Sequence, residues 1–433
     1  MSRFERVTLV GLVLACLIEG AIRKWLLPQQ LQAVGYFAKD CFALLFVLSR
    51  LSSGCVSRTQ RLTMRVCLIA IVLVPATALG LGGPLVGVVL TFKNAVLWPL
   101  VGVVLATSVD ERSLDRACPY LCGFALFSVA LGSAQALSST DAVINRYAWD
   151  AYNSADKSTF GASNLVRASG TFSYLSGLSH FAGVSFLFFL WRFFASHQRA
   201  TRWICGVGSI AALGCALTTG SRAPVANAVV GLCCGIAVRR RIGTLLQLGA
   251  LIGVAFAGAS LFFDTSIMTA YLERSQTAGD DPKDRMLGEG SRFIEMIAEA
   301  PFGHGLGTSS QATNFEAGMM TTAEDARVRL VSEAGFLGAV VWVLTVSIVV
   351  FLATKTLVKR LPAASFGLGI IGAPALYAVT AGLWFDHVAT SLWWILIGVW
   401  ASSLYAGATN FDVRTRPIRW RIASSVPTGD RSA

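Results

Sequence analysis

The sequence predicts an all-α, polytopic helical membrane protein with about twelve transmembrane helices. The chain has 433 residues, of which 54% are hydrophobic and only 14% are charged, whereas soluble domains carry about 25% charged residues. Apolar runs of about 20 residues, the length that crosses a hydrocarbon core roughly 30 Å thick, recur along almost the whole chain. These two observations exclude an ordinary soluble globular protein.

The predicted helices divide the chain into four regions. Residues 1–263 hold the first nine spans with a smaller loop at about 138–173, residues 264–330 form a large loop, residues 331–406 hold three more spans, and residues 407–433 form a basic tail. The first span is read as retained, because no small-x-small cleavage site precedes Glu19. The predicted bounds are approximately 5–22, 32–49, 64–81, 85–106, 117–137, 174–194, 203–219, 223–238, 242–263, 331–354, 365–384 and 388–406.

The positions of the basic residues predict the orientation of the spans. Most of the 36 lysines and arginines fall in connections on the same side as the N-terminus, and basic residues near span ends are retained in the cytoplasm. Both termini are therefore predicted to be cytoplasmic. The two long loops fall on the opposite, external face, and the second of them holds nearly half of the 24 acidic residues.

Composition also limits the kind of site that the chain can hold. The net charge is +12, but the basic residues lie between apolar runs and not along one stripe, so the sequence predicts no nucleic-acid partner. The ten cysteines lie almost wholly in apolar segments and form no CxxC pair, which indicates neither a metal site nor a disulfide framework. No metal and no cofactor are predicted.

Three arginines in the external loops are candidate cations for phosphate groups. Arg222 lies in a tight turn between two spans, Arg292 opens a short amphipathic helix after a possible N-cap at Ser291, and Arg167 ends the smaller loop. Arginine is permanently charged and binds phosphate in a bidentate manner. The alternatives are that Arg222 reaches lipid headgroups and that Arg292 pairs with an acidic residue one turn further on.

Two residues of the large loop are candidate proton acceptors. His304 lies among the alternating glycines of GHGLGT at 303–308, and an ordinary histidine pKa suits proton transfer near neutrality. Glu324 belongs to a charged group just before the span that starts at residue 331. The alternatives are that the glycines only form a turn around His304, and that Glu324 belongs to a solvated helix start.

The early spans contain charged residues that are costly in a membrane. We expect them to pair with one another inside the helix bundle, with a proton or ion path as the alternative. The six residues are Glu19, Arg23, Lys24, Lys39, Asp40 and Lys93.

The order of three motifs resembles the O-antigen polymerase/ligase superfamily. These motifs are Ser221 with Arg222 in an external turn, Arg292 followed after ten residues by Gly303 of the glycine-rich segment, and EAGFLG at 333–338 entering a span. The resemblance covers about residues 165–350 by motif and nearly the whole chain by topology. It implies a GT-C-like glycosyltransferase of the bacterial inner membrane that acts on undecaprenyl-diphosphate-linked oligosaccharides at the periplasmic face, with Arg222 and Arg292 holding the diphosphate.

One departure from the superfamily's pattern separates its two branches. Ligases place a His-Asn pair about nine residues before the glutamate of the third motif, and this chain has Glu324 and Asp325 there. The resemblance therefore favours a Wzy-type polymerase of exopolysaccharide or O antigen, with Glu324 as the base, His304 as the second candidate, and a chain-length regulator and export proteins as possible partners. The run EGAIRKW at 19–25 is also similar to uncharacterised members from exopolysaccharide loci.

Two alternatives remain open at the level of sequence. One is a polysaccharide ligase of the same superfamily. The other is a twelve-helix transporter or flippase of polysaccharide precursors, which the number of spans fits but the absence of visible repeat halves does not. The large external loop after the ninth span favours the enzyme.

Overall fold

The computed structural model describes residues 3–52, 89, 93–148, 159–160, 165–196, 198–239, 250, 267, 269–270, 272–273, 293–305, 331–340, 343, 369–370 and 387–414. These residues are helical apart from turns, connecting segments and one isolated bridge between Thr159 and Val166. The predicted all-α class is therefore confirmed for this part of the chain.

The described residues form nine helices that we number, together with a short helix at 293–299. A π-helical stretch at Lys93–Leu97 leads directly into the third helix, and single 3-10 turns lie at Gln29–Leu31 and Val143–Asn145. The helices are α1 (Arg3–Trp25), α2 (Gln32–Ser52), α3 (Trp98–Ser108), α4 (Glu111–Leu137), α5 (Leu175–Ala195), α6 (Arg199–Thr219), α7 (Arg222–Arg239), α8 (Val331–Val340) and α9 (His387–Arg414).

Four of the described helices are long and apolar enough to cross a membrane. They are Gln29–Ser52, which includes α2, together with α4, α5 and α6. These helices indicate a membrane protein. The predicted spans 64–81, 242–263 and 365–384 lie almost wholly outside the described residues, so the total of twelve stays a prediction.

The ends of α4 and α6 follow from local chemistry. The Asp110 side chain accepts a hydrogen bond from the backbone N–H of Ser113 at 2.9 Å and so caps the start of α4. Gly220 ends α6 in the left-handed conformation, with φ of 61°, which a residue with a Cβ adopts only at a cost. The chain therefore reverses within two residues, and α7 begins at Arg222.

Helix α5 lies at the centre of the described bundle. It packs against α6, α7 and α9, while α4 packs on α6, α1 on α2, and α3 on α9. The core of these contacts contains large side chains that are almost completely buried, including Trp98, Trp191, Trp393 and Phe189. Van der Waals packing of this kind helps to hold helices together in lipid, where the hydrophobic effect between them is missing.

The two ends of the bundle are defined by which helices begin and end there. We call the end where α1, α4 and α6 finish and α5 and α7 begin the upper end. Residues 165–174 bond to α1, α4 and α6 there and lead into α5. We call the opposite end, where α4 and α6 begin and α5 finishes, the lower end. Arg192 near the end of α5 pairs with Asp115 near the start of α4 at this lower end.

Candidate functional site

Residues 165–174, which we call the crossing segment, run over the upper end and lead into α5. The backbone N–H of Ala168 donates to the carbonyl of Thr218 at 2.9 Å. The N–H of Gly170 donates to Oε1 of Gln135 at 2.7 Å. These bonds satisfy the polar backbone where it passes over buried helix ends, and they fix the crossing segment to α4 and α6.

Arg167 of the crossing segment lies on the turn that carries Arg222. Its Nε donates to the carbonyl of Thr219 at 2.8 Å, and its Nη2 donates to Oγ of Ser221 at 2.9 Å. Arg167 and Arg222 are both partly exposed. The fold thus places one of the three predicted phosphate-binding arginines against the turn directly before another, 55 positions further along the sequence.

The charged residues of the early spans form a buried group next to the crossing segment, which we call the charge cluster. Each of its members is at most 8% exposed, and two of them are completely buried. Charged groups at this depth are costly unless they are paired and hydrogen-bonded. The members are Glu19, Arg23, Lys24, Lys39, Asp40 and Lys93.

Three ion pairs hold the charge cluster together. Glu19 accepts from Arg23 Nη1 at 2.8 Å through Oε1 and from Lys39 Nζ at 2.7 Å through Oε2. Lys93 Nζ lies 3.1 Å from Asp40 Oδ2. The predicted mutual pairing inside the bundle is therefore confirmed for these five residues, and Glu19 is the carboxylate that joins α1 to α2.

Cations of the charge cluster lie close to an aromatic ring. Lys93 Nζ is 3.8 Å and Lys39 Nζ is 4.8 Å from the centroid of the Tyr36 ring. The negative face of an aromatic ring attracts cations, and the attraction grows when water is excluded. Tyr36 therefore reduces the repulsion between two lysines that approach each other from α2 and the π-helical stretch.

The charge cluster also holds the crossing segment. Lys24 Nζ donates to Oγ of Ser169 at 3.1 Å and to the carbonyl of Gly170 at 2.5 Å. Arg23 Nη1 donates to Oγ of Ser173 at 3.0 Å. The end of α1 is thus tied by side-chain hydrogen bonds to both halves of the segment that presents Arg167.

Gly20 allows α1 and the crossing segment to approach closely. A Cβ placed on Gly20 would lie 2.1 Å from the backbone nitrogen of Ser173 and 2.3 Å from the carbonyl carbon of Phe172. No side chain fits at that distance without moving the backbone. This close contact explains why position 20 of α1 is a glycine.

The charge cluster contains more cations than anions. It has four basic residues and two carboxylates, and Lys24 is hydrogen-bonded to uncharged oxygens of Ser169 and Gly170. Arg167 and Arg222, which are partly exposed, add positive charge to the described part of the upper end. Such a field attracts anions to this end of the bundle.

His304 and the glycines beside it form a turn that docks on the start of α8. The N–H of His304 donates to the carbonyl of Ser332 at 2.7 Å, and the N–H of Gly305 donates to the carbonyl of Glu333 at 3.1 Å. A Cβ on Gly303, whose φ is 75°, would lie 2.4 Å from the Glu333 carbonyl oxygen. The glycines thus permit close packing against α8, and the exposed His304 side chain stays beside this contact.

The remaining predicted site residues lie outside the described part of the chain. These are Arg292 and Glu324. The short helix that follows Arg292 is present at 293–299 and ends before Pro301, as predicted. The roles of Arg292 and Glu324 therefore stay predictions.

Sequence reasoning did not identify the uncharged partners of the basic residues. Gln135, Ser169 and Ser173 hold the crossing segment in place, but their residue types alone give no signal of that role. The sequence also gave no reason to pair Arg192 with Asp115, because the two lie 77 positions apart. Such contacts depend on helix packing, which local patterns do not specify.

Comparison with known proteins leaves the chain without an assigned relative. No protein-family model matches the sequence, and no curated protein matches it. The resemblance to the O-antigen polymerase/ligase superfamily therefore rests on the three motifs, their order and their place between spans.

Proposed function

We propose that the chain is a Wzy-type polysaccharide polymerase. It would join undecaprenyl-diphosphate-linked oligosaccharide repeat units into exopolysaccharide or O antigen at the periplasmic face of a bacterial inner membrane, with the upper end in the periplasm and both termini in the cytoplasm. The observation that carries the proposal is the contact of Arg167 with the turn of Ser221 and Arg222. Arg167 thus contacts the turn directly before Arg222, the other predicted diphosphate ligand.

The geometry of this contact suits a diphosphate. Two hydrogen bonds to Thr219 and Ser221 hold the Arg167 guanidinium in place, so substrate binding does not have to order that side chain. Arg222 is the first residue of α7, where the helix dipole also favours negative charge. Fixed cations beside a departing diphosphate stabilise the charge that develops on it in the transition state.

In the proposed reaction, a hydroxyl of one repeat unit attacks the anomeric carbon of the next. The new glycosidic bond forms as the bond between that carbon and the diphosphate oxygen breaks, and undecaprenyl diphosphate leaves with the bonding electron pair. The hydroxyl proton passes to Glu324, with His304 as the second candidate. The superfamily resemblance implies inversion at the anomeric carbon, and arginines take the place of a metal ion.

The test uses the full-length protein reconstituted with synthetic lipid-linked repeat units. We expect Arg222→Lys and Arg167→Lys to lower the polymerisation rate by about 100-fold each, the usual cost of removing one oriented donor from a transition state, because lysine lacks the planar fork. Arg146→Lys is the matched control, since Arg146 is an exposed residue near the same loop. Unchanged rates in the two test variants would contradict the proposed role.

A second set of reactions tests the base and the absence of a metal. Glu324→Gln removes the proton acceptor while keeping the side-chain shape, so we expect loss of polymerisation with retained binding of the lipid-linked substrate. Wild-type activity is expected to survive excess EDTA. Activity that is lost in EDTA and restored by Mg²⁺ would refute the metal-free mechanism, and a fully active Glu324→Gln would exclude Glu324 as the base.

A transporter or flippase of the same precursors is the second candidate, and the charge cluster favours it. Buried ionisable groups inside a bundle also line proton and ion paths. The same vesicles separate the two functions, because a polymerase lengthens the glycan and a flippase only changes the leaflet in which the repeat unit resides. A polysaccharide ligase would instead require a lipid A-core acceptor before any product forms.

A further inference from the structure

A partly enclosed cavity lies at the lower end, between the starts of α4 and α6. Its volume is about 300 Å³, and its lining consists of Arg112, Asp115, Arg116 and Gln198. Cavities of this size are at the small end of those that bind ligands. The residues belong to no part of the site at the upper end.

The charge balance of this cavity is positive. Asp115 already forms an ion pair with Arg192, which lies behind the wall and is 2% exposed. Arg112 and Arg116 form no ion pair within the described ranges, and Nε and Nη1 of Arg192 have no hydrogen-bond partner there. The cavity lining thus has two guanidinium groups and one carboxylate that is already paired, which leaves donors of Arg112 and Arg116 for an anion.

The start of α6 adds to this positive field, whereas the start of α4 carries the negative charge of its cap residue Asp110. Gln198 precedes α6, and its side chain does not cap the helix. The first backbone N–H groups of α6 therefore point toward the lower end with no side-chain acceptor from Gln198. At α4 the cap is Asp110, and hydrogen bonds from Ser113 followed by the nearby charge of Arg116 hold the pKa of that carboxyl below its usual value. Asp110 is thus ionised, and its charge is engaged in capping.

Exposed aromatic residues place the cavity near a membrane surface. Tyr120 lies two helical turns after Arg112 on the same face of α4 and is 80% exposed, and Trp203 in α6 is 67% exposed. Both helices are long and apolar enough to cross a membrane. Tyr and Trp at the ends of such helices lie at the level of the lipid headgroups, so the cavity opens where headgroup phosphates are found.

We propose that this cavity binds the phosphate group of an anionic phospholipid, with phosphatidylglycerol as the simplest candidate. Its guanidinium groups hold the phosphate, and the Gln198 amide and the start of α6 contact the polar headgroup. Basic pockets between transmembrane helices on the cytoplasmic side have the chemistry that anionic headgroups require. The predicted orientation places the lower end in that leaflet. This site is independent of the proposed polymerase activity.

The test measures binding of lipid to the full-length protein in detergent by native mass spectrometry. We expect phosphatidylglycerol to bind at least tenfold more tightly than phosphatidylcholine. Arg112→Gln with Arg116→Gln should weaken that binding by about 30-fold, since each basic residue near an anionic surface contributes roughly a fivefold affinity. Arg202→Gln is the matched control, because it removes an exposed charge near the start of α6 but does not line the cavity.

Three outcomes would overturn the proposal. Equal binding of phosphatidylglycerol and phosphatidylcholine would exclude an anionic lipid site. Equal weakening by Arg202→Gln and Arg116→Gln would show a general effect of surface charge. Competition by millimolar inorganic phosphate or glycerol phosphate as strong as that by the lipid would identify a soluble phosphate compound, and not a membrane lipid, as the ligand.

Discussion

Replacing Glu19 with glutamine is the sharpest test of the charge cluster. The Glu19 carboxylate is 3% exposed and is shared by Arg23 and Lys39, whose side chains are 0% and 1% exposed. Glutamine keeps the volume and one acceptor oxygen but removes the negative charge. Two buried cations then lose their common counter-ion.

The expected loss of stability follows from this geometry. Removing one partner of a buried ion pair costs about 3–5 kcal/mol, because the remaining charge stays buried and uncompensated. Midpoints shift by about 2–4 °C per kcal/mol in chains of 150–250 residues and by less in longer ones. We therefore expect Glu19→Gln to lower the midpoint of thermal unfolding by about 5 °C or more.

Intrinsic fluorescence in mild detergent provides the assay, since the chain has eleven tryptophans. Glu111→Gln is the control: Glu111 is an exposed acidic residue in the first turn of α4, and its loss costs only about 0.3–1 kcal/mol of helix-dipole interaction. In a Glu19→Gln background, Lys39→Met should destabilise less than it does in the wild type. Equal midpoints for Glu19→Gln and Glu111→Gln would refute the reasoning.

Three further predictions test packing and orientation. Oxidation by copper phenanthroline should join Cys118 of α4 to Cys205 of α6, whose sulfurs lie 3.5 Å apart, and mass spectrometry that finds no such peptide would contradict this helix pairing. Gly20→Ala should destabilise the protein by about 1–3 kcal/mol, measured as a lower unfolding midpoint, because its Cβ would meet the crossing segment. In intact cells, an impermeant thiol reagent should label Ser139→Cys above the wild-type level but should not label Ala200→Cys. The reverse labelling pattern would contradict the predicted orientation.

The sequence predicted the helices well where the apolar period is strong. Helices α4, α5 and α6 match the predicted spans 117–137, 174–194 and 203–219, and their bounds differ from the prediction by a few residues at most ends. Their ends also match recognisable chemistry, since Asp110 and Gly220 are typical cap residues. Helix α9 extends further than the predicted span at 388–406, since it continues through more polar residues to Arg414. The span was predicted from apolar residues alone, so its end falls short of the end of the helix.

The candidate site was predictable in its residue types but not in its assembly. Arg222 is a candidate because an arginine at the depth of a span end is costly without a partner, and Arg167 because it ends the other external loop. Both arguments are local. The contact of Arg167 with the turn before Arg222 depends on how α4 and α6 support the crossing segment. Long-range contacts of this kind are set by packing, so one sequence shows which residues need partners and not which partners they find.

The buried ion pairs of the charge cluster are expected to contribute little to the free energy of unfolding. Apolar residues of similar volume often replace a buried ion-pair group at no cost, because the desolvation penalty disappears together with the pairing. We therefore expect a triple variant, Glu19→Met with Arg23→Met and Lys39→Met, to keep an unfolding midpoint within about 5 °C of the wild type. In contrast to Glu19→Gln, it leaves no unpaired charge among these three positions.

The same triple variant separates a functional role of the charges from a structural one. It removes positive charge from the upper end and the bond from Arg23 to Ser173, while Lys24 still holds Ser169 and Gly170. If the charge cluster supplies the field that attracts an anionic substrate to Arg167, the triple variant should have a much higher KM for the lipid-linked substrate. That KM should also depend less on salt concentration than the KM of the wild type. A stable triple variant with wild-type KM would show that the charges serve packing only, and the anion would then be held by the arginines of the loops alone.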